Sequence, residues 1–177
     1  MNLIKTQSLL CLLLALTSAP CVAVEPMPES IHAQTESSLP GAEADEQWPD
    51  RAREVLVNAL SLTGIRYKYG GNSPETGFDC SGFVRYVYQQ AANLTLPHGA
   101  RAISQLGNTV PRSELQPGDL VFFNTLKSTF SHVGIYLGNN RFVHSPSSGG
   151  GVRVENMQTS YWEKRFNGAQ RIDAEQK

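Results

Sequence analysis

The strongest constraint on the fold is an apolar stripe that begins at a cysteine. Six residues share one face of a helix, at the spacing i, i+3, i+4, i+7, i+8 and i+11: Cys80, Phe83, Val84, Val87, Tyr88 and Ala91. A stripe of this width predicts a helix that is buried along one side. The cysteine is therefore expected to open a buried helix directly after the turn-rich segment "GGNSPETGF".

A helix before this stripe and a group of strands after it define the expected fold. Apolar residues at helical spacing follow Pro49 and Asp50, and Gly64 stands where a C-terminal cap is expected. Short apolar runs later in the chain predict antiparallel strands: "DLVFF", "HVGIYL", "RFVHS" and "GVRVENM". Because helices come first and the strands follow as a run, we predict an α+β fold with N-terminal helices packed on an antiparallel β-sheet.

The N-terminus predicts export. Lys5 precedes the apolar run "SLLCLLLALTSA", which is too short for a stop-transfer helix and leads into small residues. Residues 1–23 are therefore a predicted signal peptide with cleavage near Ala23. A lipoprotein signal, with an outer-membrane lipid anchor at Cys21, is the alternative, although Pro20 fits such a signal poorly. Both readings predict an exported protein of the periplasm or cell envelope.

Composition separates the remaining chain into a linker and one domain. Residues 24–48 are acidic and rich in Pro, Ser and Glu, which predicts a disordered linker in which His32 is a solvated residue. One domain is expected at 49–173, followed by a tail at 174–177. The formal net charge of −1 gives no reason to expect nucleic acid as a partner. We expect the protein to be a monomer.

Cys80 is the only cysteine outside the first 21 residues. Since oxidising compartments usually pair their cysteines, an unpaired thiol is either a small buried apolar residue or a reactive group. A helix N-terminus stabilises negative charge, which predicts a lowered pKa for the thiol and a nucleophilic role for Cys80. Asp79 is the expected N-cap of this helix.

Two histidines lie in "FSHVGIYLGNNRFVHS", where apolar runs on both sides of a turn predict a β-hairpin. A three-residue loop at 138–140 would place Gly134 opposite His144, with His132 diagonal to it on the same face. A two-residue loop would place the histidines on opposite faces. The first register predicts contact between His132 and His144. His98 follows a proline and is expected at the surface.

A cysteine, a base and a polar group that orients the base form a catalytic arrangement found on unrelated folds. We assign Cys80 as the nucleophile, His132 as the base and His144 as the orienting residue. Purely structural roles for the two histidines are one alternative, and a zinc site is another. No CxxC or HExxH spacing supports zinc, and we expect neither a metal nor a cofactor.

Five segments resemble, in the same order, the NlpC-type cell-wall peptidases, a papain-like family of murein hydrolases: "GIRYKYGG", "GFDCSGFVRYVY", "LQPGDLVFF", "SHVGIYLGNNRFVHS" and "YWEKRFNGAQRI". The resemblance covers about residues 50–172 and is greatest to small single-domain Gram-negative murein endopeptidases. It implies a cysteine endopeptidase that cleaves amide bonds of peptidoglycan stem peptides or crosslinks. It also matches Cys80, His132 and His144 to the family's triad.

Three further residues match cleft positions of the family, for which the resemblance implies oxyanion stabilisation and binding of the stem peptide: Tyr67, Asp79 and Ser81. For Tyr67, a core aromatic on a strand is an equal alternative. The sequence Leu-Pro-His-Gly at 96–99 departs from the Leu-Pro-Arg common in relatives, so the bond preference stays open. An acyltransferase or amidase on the same cleft and a non-catalytic cell-wall scaffold are the alternative functions.

Overall fold

The computed structural model describes residues 42–125 and 128–172 of the 177-residue chain. The predicted signal peptide with Cys21, most of the predicted linker with His32, and the predicted tail lie outside the described residues. None of the helices in the described ranges has the length and hydropathy to cross a membrane.

The described ranges contain four α-helices and one 3-10 helix: α1 (Ala42–Ser61), α2 (Cys80–Ala92), α3 (Ala100–Ile103), α4 (Ser160–Glu163) and the 3-10 helix Arg112–Glu114. α2 begins at the cysteine, as its apolar stripe predicts. The predicted face of α2 is buried apart from Cys80 itself, which is partly exposed.

Eight strands lie in the described ranges: β1 (Asn72–Ser73), β2 (Gly77–Phe78), β3 (Asn108–Thr109), β4 (Leu120–Phe123), β5 (His132–Gly138), β6 (Arg141–His144), β7 (Arg153–Asn156) and β8 (Phe166–Arg171). β1 and β2 form a small pair, and the other six form one antiparallel sheet in the order β3-β8-β4-β5-β6-β7. The predicted α+β fold is therefore confirmed. β8, which lies between β3 and β4, was not predicted, because its polar residues and Gly168 give no clear alternation.

Apolar side chains cover both faces of the six-stranded sheet. Leu120 and Phe122 belong to a cluster that includes residues of α1 and α2, whereas Val121 and Phe123 belong to a second cluster around Trp162 of α4. Successive residues of a strand point to opposite faces, so β4 is buried on both sides. The long helices therefore fix one face of the sheet, and aromatic residues fill the other.

The first helix begins before the predicted domain boundary. α1 starts at Ala42, so residues 42–48 are helical, whereas the sequence pattern assigned them to a disordered linker. The composition of the whole segment did not reveal the helix propensity of its last residues, "AEADEQW". These residues include the strong helix formers Ala, Glu and Gln. Acidic residues near a helix N-terminus are also favourable for the helix dipole.

The turn between β5 and β6 corrects one step of the hairpin prediction. Asn139 and Asn140 form a two-residue turn with φ angles of 51° and 56°, in place of the predicted three-residue loop. An irregularity at Leu137 shifts the register by one residue, as a β-bulge does. Ile135 consequently pairs with Val143, which is the register that the longer loop would have given. The two histidines therefore still share one face.

Candidate active site

The carboxylate of Asp79 holds the N-terminus of α2, as predicted for its N-cap. Oδ1 accepts hydrogen bonds from the backbone N–H of Gly82 at 2.7 Å and from the hydroxyl of Ser81 at 2.9 Å. Oδ2 accepts a hydrogen bond from the backbone N–H of Gly70 at 3.0 Å. The carboxylate therefore joins the start of the helix to the loop before β1, and it orients the hydroxyl of Ser81.

Packing requires a glycine two residues after Cys80. A Cβ atom on Gly82 would lie 2.0 Å from the carbonyl oxygen of Gly71, far closer than a side chain tolerates. Without that atom the loop approaches the first turn of α2, and the N–H of Asp79 donates to the same carbonyl at 3.0 Å. This contact fixes the start of the helix, and with it Cys80, against the loop.

His132 begins β5 and His144 ends β6, and their rings meet. Nε2 of His132 lies 2.7 Å from Nδ1 of His144, and the ring planes are nearly perpendicular at 85°. Gly134 makes room for the pair, since a Cβ atom there would lie 2.7 Å from the ring of Phe142 and 3.1 Å from Cβ of His144. The predicted contact between the two histidines is therefore present.

Aromatic rings enclose the histidine pair. Trp162 stacks on His132 with the ring centroids 5.5 Å apart, and it packs edge-on against His144 at 5.0 Å. Phe142 lies 4.8 Å from His144 on another side. His144 has no exposed surface, and His132 is 4% exposed. The surroundings therefore keep water from both imidazoles except where His132 reaches a cavity.

One cavity of about 330 Å³ brings together five of the six predicted site residues: Tyr67, Asp79, Cys80, Ser81 and His132. The sixth, His144, does not line this cavity and contacts it only through His132. Tyr67 is half-buried and belongs to neither hydrophobic cluster, which favours the cleft position over the core alternative.

Tyr69 and His98 also line this cavity, and neither was among the predicted site residues. Tyr69 is 88% exposed at the rim, and its spacing of two from Tyr67 was the available signal. His98 is exposed, as expected, but it also lines the cavity. Nη1 of Arg85 lies 3.1 Å from Nδ1 of His98. Since arginine only donates, Nδ1 of His98 accepts and Nε2 carries its proton. Neighbouring residues in the sequence gave no signal of this contact.

The pKa of Cys80 corrects the predicted state of the thiol. Burial, followed by the carboxylate of Asp79, raises this pKa from 9.0 to about 11. Backbone hydrogen bonds at Val133, Ser81 and Cys80 lower it, but by less. The resting thiol is therefore protonated at neutral pH. The prediction of a lowered pKa was wrong because it weighed the helix N-terminus without the burial of the sulfur.

Burial also keeps both histidines uncharged. It lowers the pKa of His132 from 6.5 to about 3, and the neighbouring His144 lowers it further in the same direction. The pKa of His144 is lowered as well, chiefly by burial. Both imidazoles are neutral at pH 7, so His132 is able to accept a proton.

Glu155 of β7 completes this polar cluster. Its Oε1 lies 3.5 Å from Nε2 of His144 and accepts a hydrogen bond from Nε of Arg153 at 2.5 Å. Nε1 of Trp162 donates to Oε2. Sequence reasoning missed Glu155, because the segment 145–152 has no recognisable turn length that would fix the register of β7 against β6.

A second cavity, of about 280 Å³, lies beside the first. The two cavities share Thr125, His132 and Ser147 as lining residues. Glu155 and Trp162 line the second cavity but not the first. The imidazole of His132 therefore borders two spaces, one of which contains the thiol.

This arrangement supports nucleophilic catalysis by a thiol. Cys80 and His132 line one cavity, backbone hydrogen bonds reach the sulfur at the start of α2, and His144 holds the imidazole. Within the described ranges, no group of three or more His, Cys, Asp or Glu side chains is arranged to hold a metal ion. A cysteine at a helix start beside a histidine of an antiparallel sheet is the arrangement of papain-like cysteine hydrolases.

Comparison with known proteins identifies the family. The NlpC/P60 family profile matches residues 64–171, and the chain belongs to this family. The "Murein DD-endopeptidase MepS/Murein LD-carboxypeptidase" of Escherichia coli K12 is 39% identical over 166 residues, which are 90% of this chain and 86% of that protein. The "Murein DD-endopeptidase MepH" of the same strain is 39% identical over 135 residues, which are 74% of this chain and only 50% of that protein.

A solved structure agrees with the family assignment. The peptidoglycan hydrolase RipB from Mycobacterium tuberculosis superposes with a TM-score of 0.61 at 28% identity, over 76% of this chain and 69% of that one. The resemblance to NlpC-type peptidases and the fold that it implies are therefore confirmed.

Proposed function

We propose that this chain is an exported cysteine endopeptidase that hydrolyses amide bonds of peptidoglycan stem peptides or of the crosslinks between them. The observation that carries the proposal is the cavity shared by Cys80 and His132, with His144 at hydrogen-bond distance behind the base. The relatives are named murein endopeptidases, and these names supply the proposed substrate class. The predicted signal peptide at 1–23 agrees with action in the periplasm or cell envelope.

The proposed reaction begins from a neutral thiol and a neutral imidazole. His132 takes the proton of Cys80 as the sulfur attacks the carbonyl carbon of the scissile amide, and backbone N–H groups at the start of α2 stabilise the oxyanion. The imidazolium of His132 then protonates the leaving amine, and a thioester remains on Cys80. Water, deprotonated by His132, hydrolyses the thioester and restores the thiol.

Three side chains of the same cavity are proposed to form the substrate site, with Tyr67 and Ser81 in contact with the acyl part of the substrate and Asp79 as their support. Both oxygens of Asp79 already accept hydrogen bonds from the protein, so its role is to hold the helix start and Ser81 in place. The hydroxyls of Ser81 and Tyr67 are the groups that can reach a bound peptide. Burial, followed by the nearby Cys80 and Asp79, raises the pKa of Tyr67, so its phenol remains a donor.

For the bond, we propose the crosslink between D-alanine and the diamino acid of a second stem. Both Escherichia coli relatives carry the name murein DD-endopeptidase, which supports this choice over the bond between D-glutamate and the diamino acid within one stem. Lipidation at Cys21 remains the alternative to plain cleavage of the leader, and we propose that the enzyme acts as a monomer.

The acyltransferase alternative predicts a more apolar groove. The lining of the cavity at Cys80 includes hydroxyl and carboxylate groups, among them those of Asp79, Ser81 and Thr125. Such groups can form hydrogen bonds with a peptide, which supports the peptidase proposal. A scaffold role predicts no need for a base beside the thiol, whereas His132 lines the same cavity as Cys80.

The test is digestion of purified sacculi by residues 24–177, beside the Cys80→Ser variant, with the released muropeptides identified by mass spectrometry. We expect crosslinked dimers to fall and monomers to rise with the wild-type protein only. Shorter peptides released from uncrosslinked stems would move the cut to the other bond. Equal products from both proteins, or none from either, would contradict the proposal.

A further inference from the structure

Among the described residues, Glu155 is the one carboxylate within 4.0 Å of a nitrogen of the histidine pair. It lies on β7, beside β6, and Oε1 is 3.5 Å from Nε2 of His144. This buried nitrogen has no hydrogen bond from any described residue. Arg153 and Trp162 donate to the two oxygens of the same carboxylate and hold it beneath His144.

Only one proton can lie between the facing nitrogens of the two histidines. Nε2 of His132 and Nδ1 of His144 are 2.7 Å apart, so one nitrogen donates and the other accepts. If Nδ1 of His144 carried the proton, Nε2 of the same neutral ring would be a bare acceptor facing the carboxylate of Glu155. In that arrangement Nε2 of His132 would accept this proton, and the ring proton of His132 would lie on its own Nδ1. The imidazole of His132 would then have no free lone pair with which to act as a base.

The opposite arrangement places each of these protons opposite an acceptor. A proton on Nε2 of His144 faces the carboxylate, which leaves Nδ1 of His144 free to accept from Nε2–H of His132. Nδ1 of His132 then keeps the lone pair that the base requires. One carboxylate thus determines the proton positions on two successive rings.

We propose that Glu155 is a positioning residue, which fixes the tautomers of His144 and His132 and so keeps His132 competent as a base. This inference rests on the proposed function, because it extends the set of three catalytic residues by a fourth residue that does not touch the substrate.

The surroundings keep Glu155 ionised for this role. The neighbouring imidazole of His144, and then the hydrogen bonds from Trp162 and Arg153, outweigh its partial burial and lower its pKa from 4.5 to about 2. The charged and titratable groups that face it are His144, Arg153 and, at longer range, His132. Its negative charge also raises the pKa of His132 against the effect of burial.

The first experiment reads the tautomers directly and needs no substrate. In the ¹⁵N-labelled mature protein at pH 7, ring nitrogen shifts should report a protonated Nε2 and an unprotonated Nδ1 for both His132 and His144. A protonated Nδ1 on either ring would overturn the proposal. Because this readout does not depend on murein cleavage, it separates failure of the inference from failure of the proposed function.

The second experiment compares Glu155→Gln with the matched control Glu163→Gln, an exposed glutamate on α4. The amide lacks the charge and can present either its oxygen or its NH₂ group to His144. We expect mixed tautomers and a fall in kcat of roughly tenfold or more, with KM nearly unchanged and the acid limb of the pH profile displaced to lower pH. The control should match the wild type. Unchanged tautomers and unchanged kcat in Glu155→Gln would overturn the proposal.

Discussion

Two buried polar clusters are attached to the same sheet, and they are built on opposite principles. In the structural cluster, Asp119 has no exposed side-chain surface and forms a two-point ion pair with Arg171, at 2.8 Å to Nε and 2.9 Å to Nη2. In the histidine cluster, defined by His132, His144 and Glu155, the two rings are neutral and Nε2 of His144 is 3.5 Å from its nearest charged partner.

The difference between the clusters follows from their tasks. Charge pairing satisfies Asp119, whose Oδ2 also accepts a hydrogen bond from the backbone N–H of Gln116 at 2.7 Å. A base has to change its protonation state, and the proposed base, His132, is buried beside a neutral ring rather than a paired charge. We therefore propose that stability and proton transfer depend on separate clusters.

The largest effect should come from the base itself. His132→Asn removes the proton acceptor while keeping a polar side chain of smaller volume, and we expect murein cleavage to fall by roughly 10³-fold or more. The rate of crosslink loss from sacculi measures it. If Asp119→Asn lowered the rate per folded molecule by as much, the proposed division between the clusters would be wrong.

Asp119→Asn should act on stability. Neutralising the buried carboxylate removes the charge that pairs with Arg171, and we expect the free energy of unfolding to fall by on the order of 3 kcal/mol. Urea unfolding at pH 7 measures this loss, and Asp50→Asn, an exposed position on α1, is the matched control. The rate of cleavage per folded molecule should stay near that of the wild type. A stability equal to that of the control would contradict the structural role.

Acid should weaken the fold through the histidine cluster. The pKa of His132 is lowered from 6.5 to about 3 in the folded state, so the unfolded chain binds protons first as the pH falls. The stabilisation is complete above pH 6.5 and is lost progressively down to about pH 3. Unfolding free energies at pH 7, 5 and 4 should decline for the wild type and decline less for His132→Asn. Parallel curves for the two proteins would refute this assignment.

The smallest effect is expected at the cavity rim. His98→Ala removes an N–H donor that Arg85 orients toward the cavity, and loss of one such hydrogen bond should raise KM by roughly 2- to 10-fold with little change in kcat. Steady-state cleavage of a crosslinked muropeptide measures both constants. Arg101→Ala, an exposed cation on α3, serves as the control. A change confined to kcat would remove His98 from substrate binding.

Sequence patterns predicted the parts of the molecule that depend on local periodicity. The helix at Cys80 and the shared face of the two histidines follow from spacings of three to four residues and of two residues. The histidine register was nevertheless obtained from the wrong turn, because the bulge at Leu137 compensates for a two-residue turn. The alternation of residues along the strands could not distinguish a three-residue loop from a two-residue turn with a bulge, because both give the same register.

What could not be predicted depends on contacts between distant segments. Glu155 reaches His144 only because β7 pairs with β6 after an irregular connection. The raised pKa of Cys80 likewise depends on burial, which the helix start does not reveal by itself. Local sequence therefore indicated the groups that we propose as catalytic, while the tertiary packing determines their charge.

The most direct measurement of the central claim, that the catalytic groups rest uncharged, is the pH dependence of Cys80 alkylation by iodoacetamide. With a thiol pKa of about 11, the rate should be low at neutral pH and should rise continuously with pH through 10. A fast rate that is constant from below pH 6 to above pH 8, and is lost in His132→Asn, would mean a resting thiolate–imidazolium pair and would contradict the account.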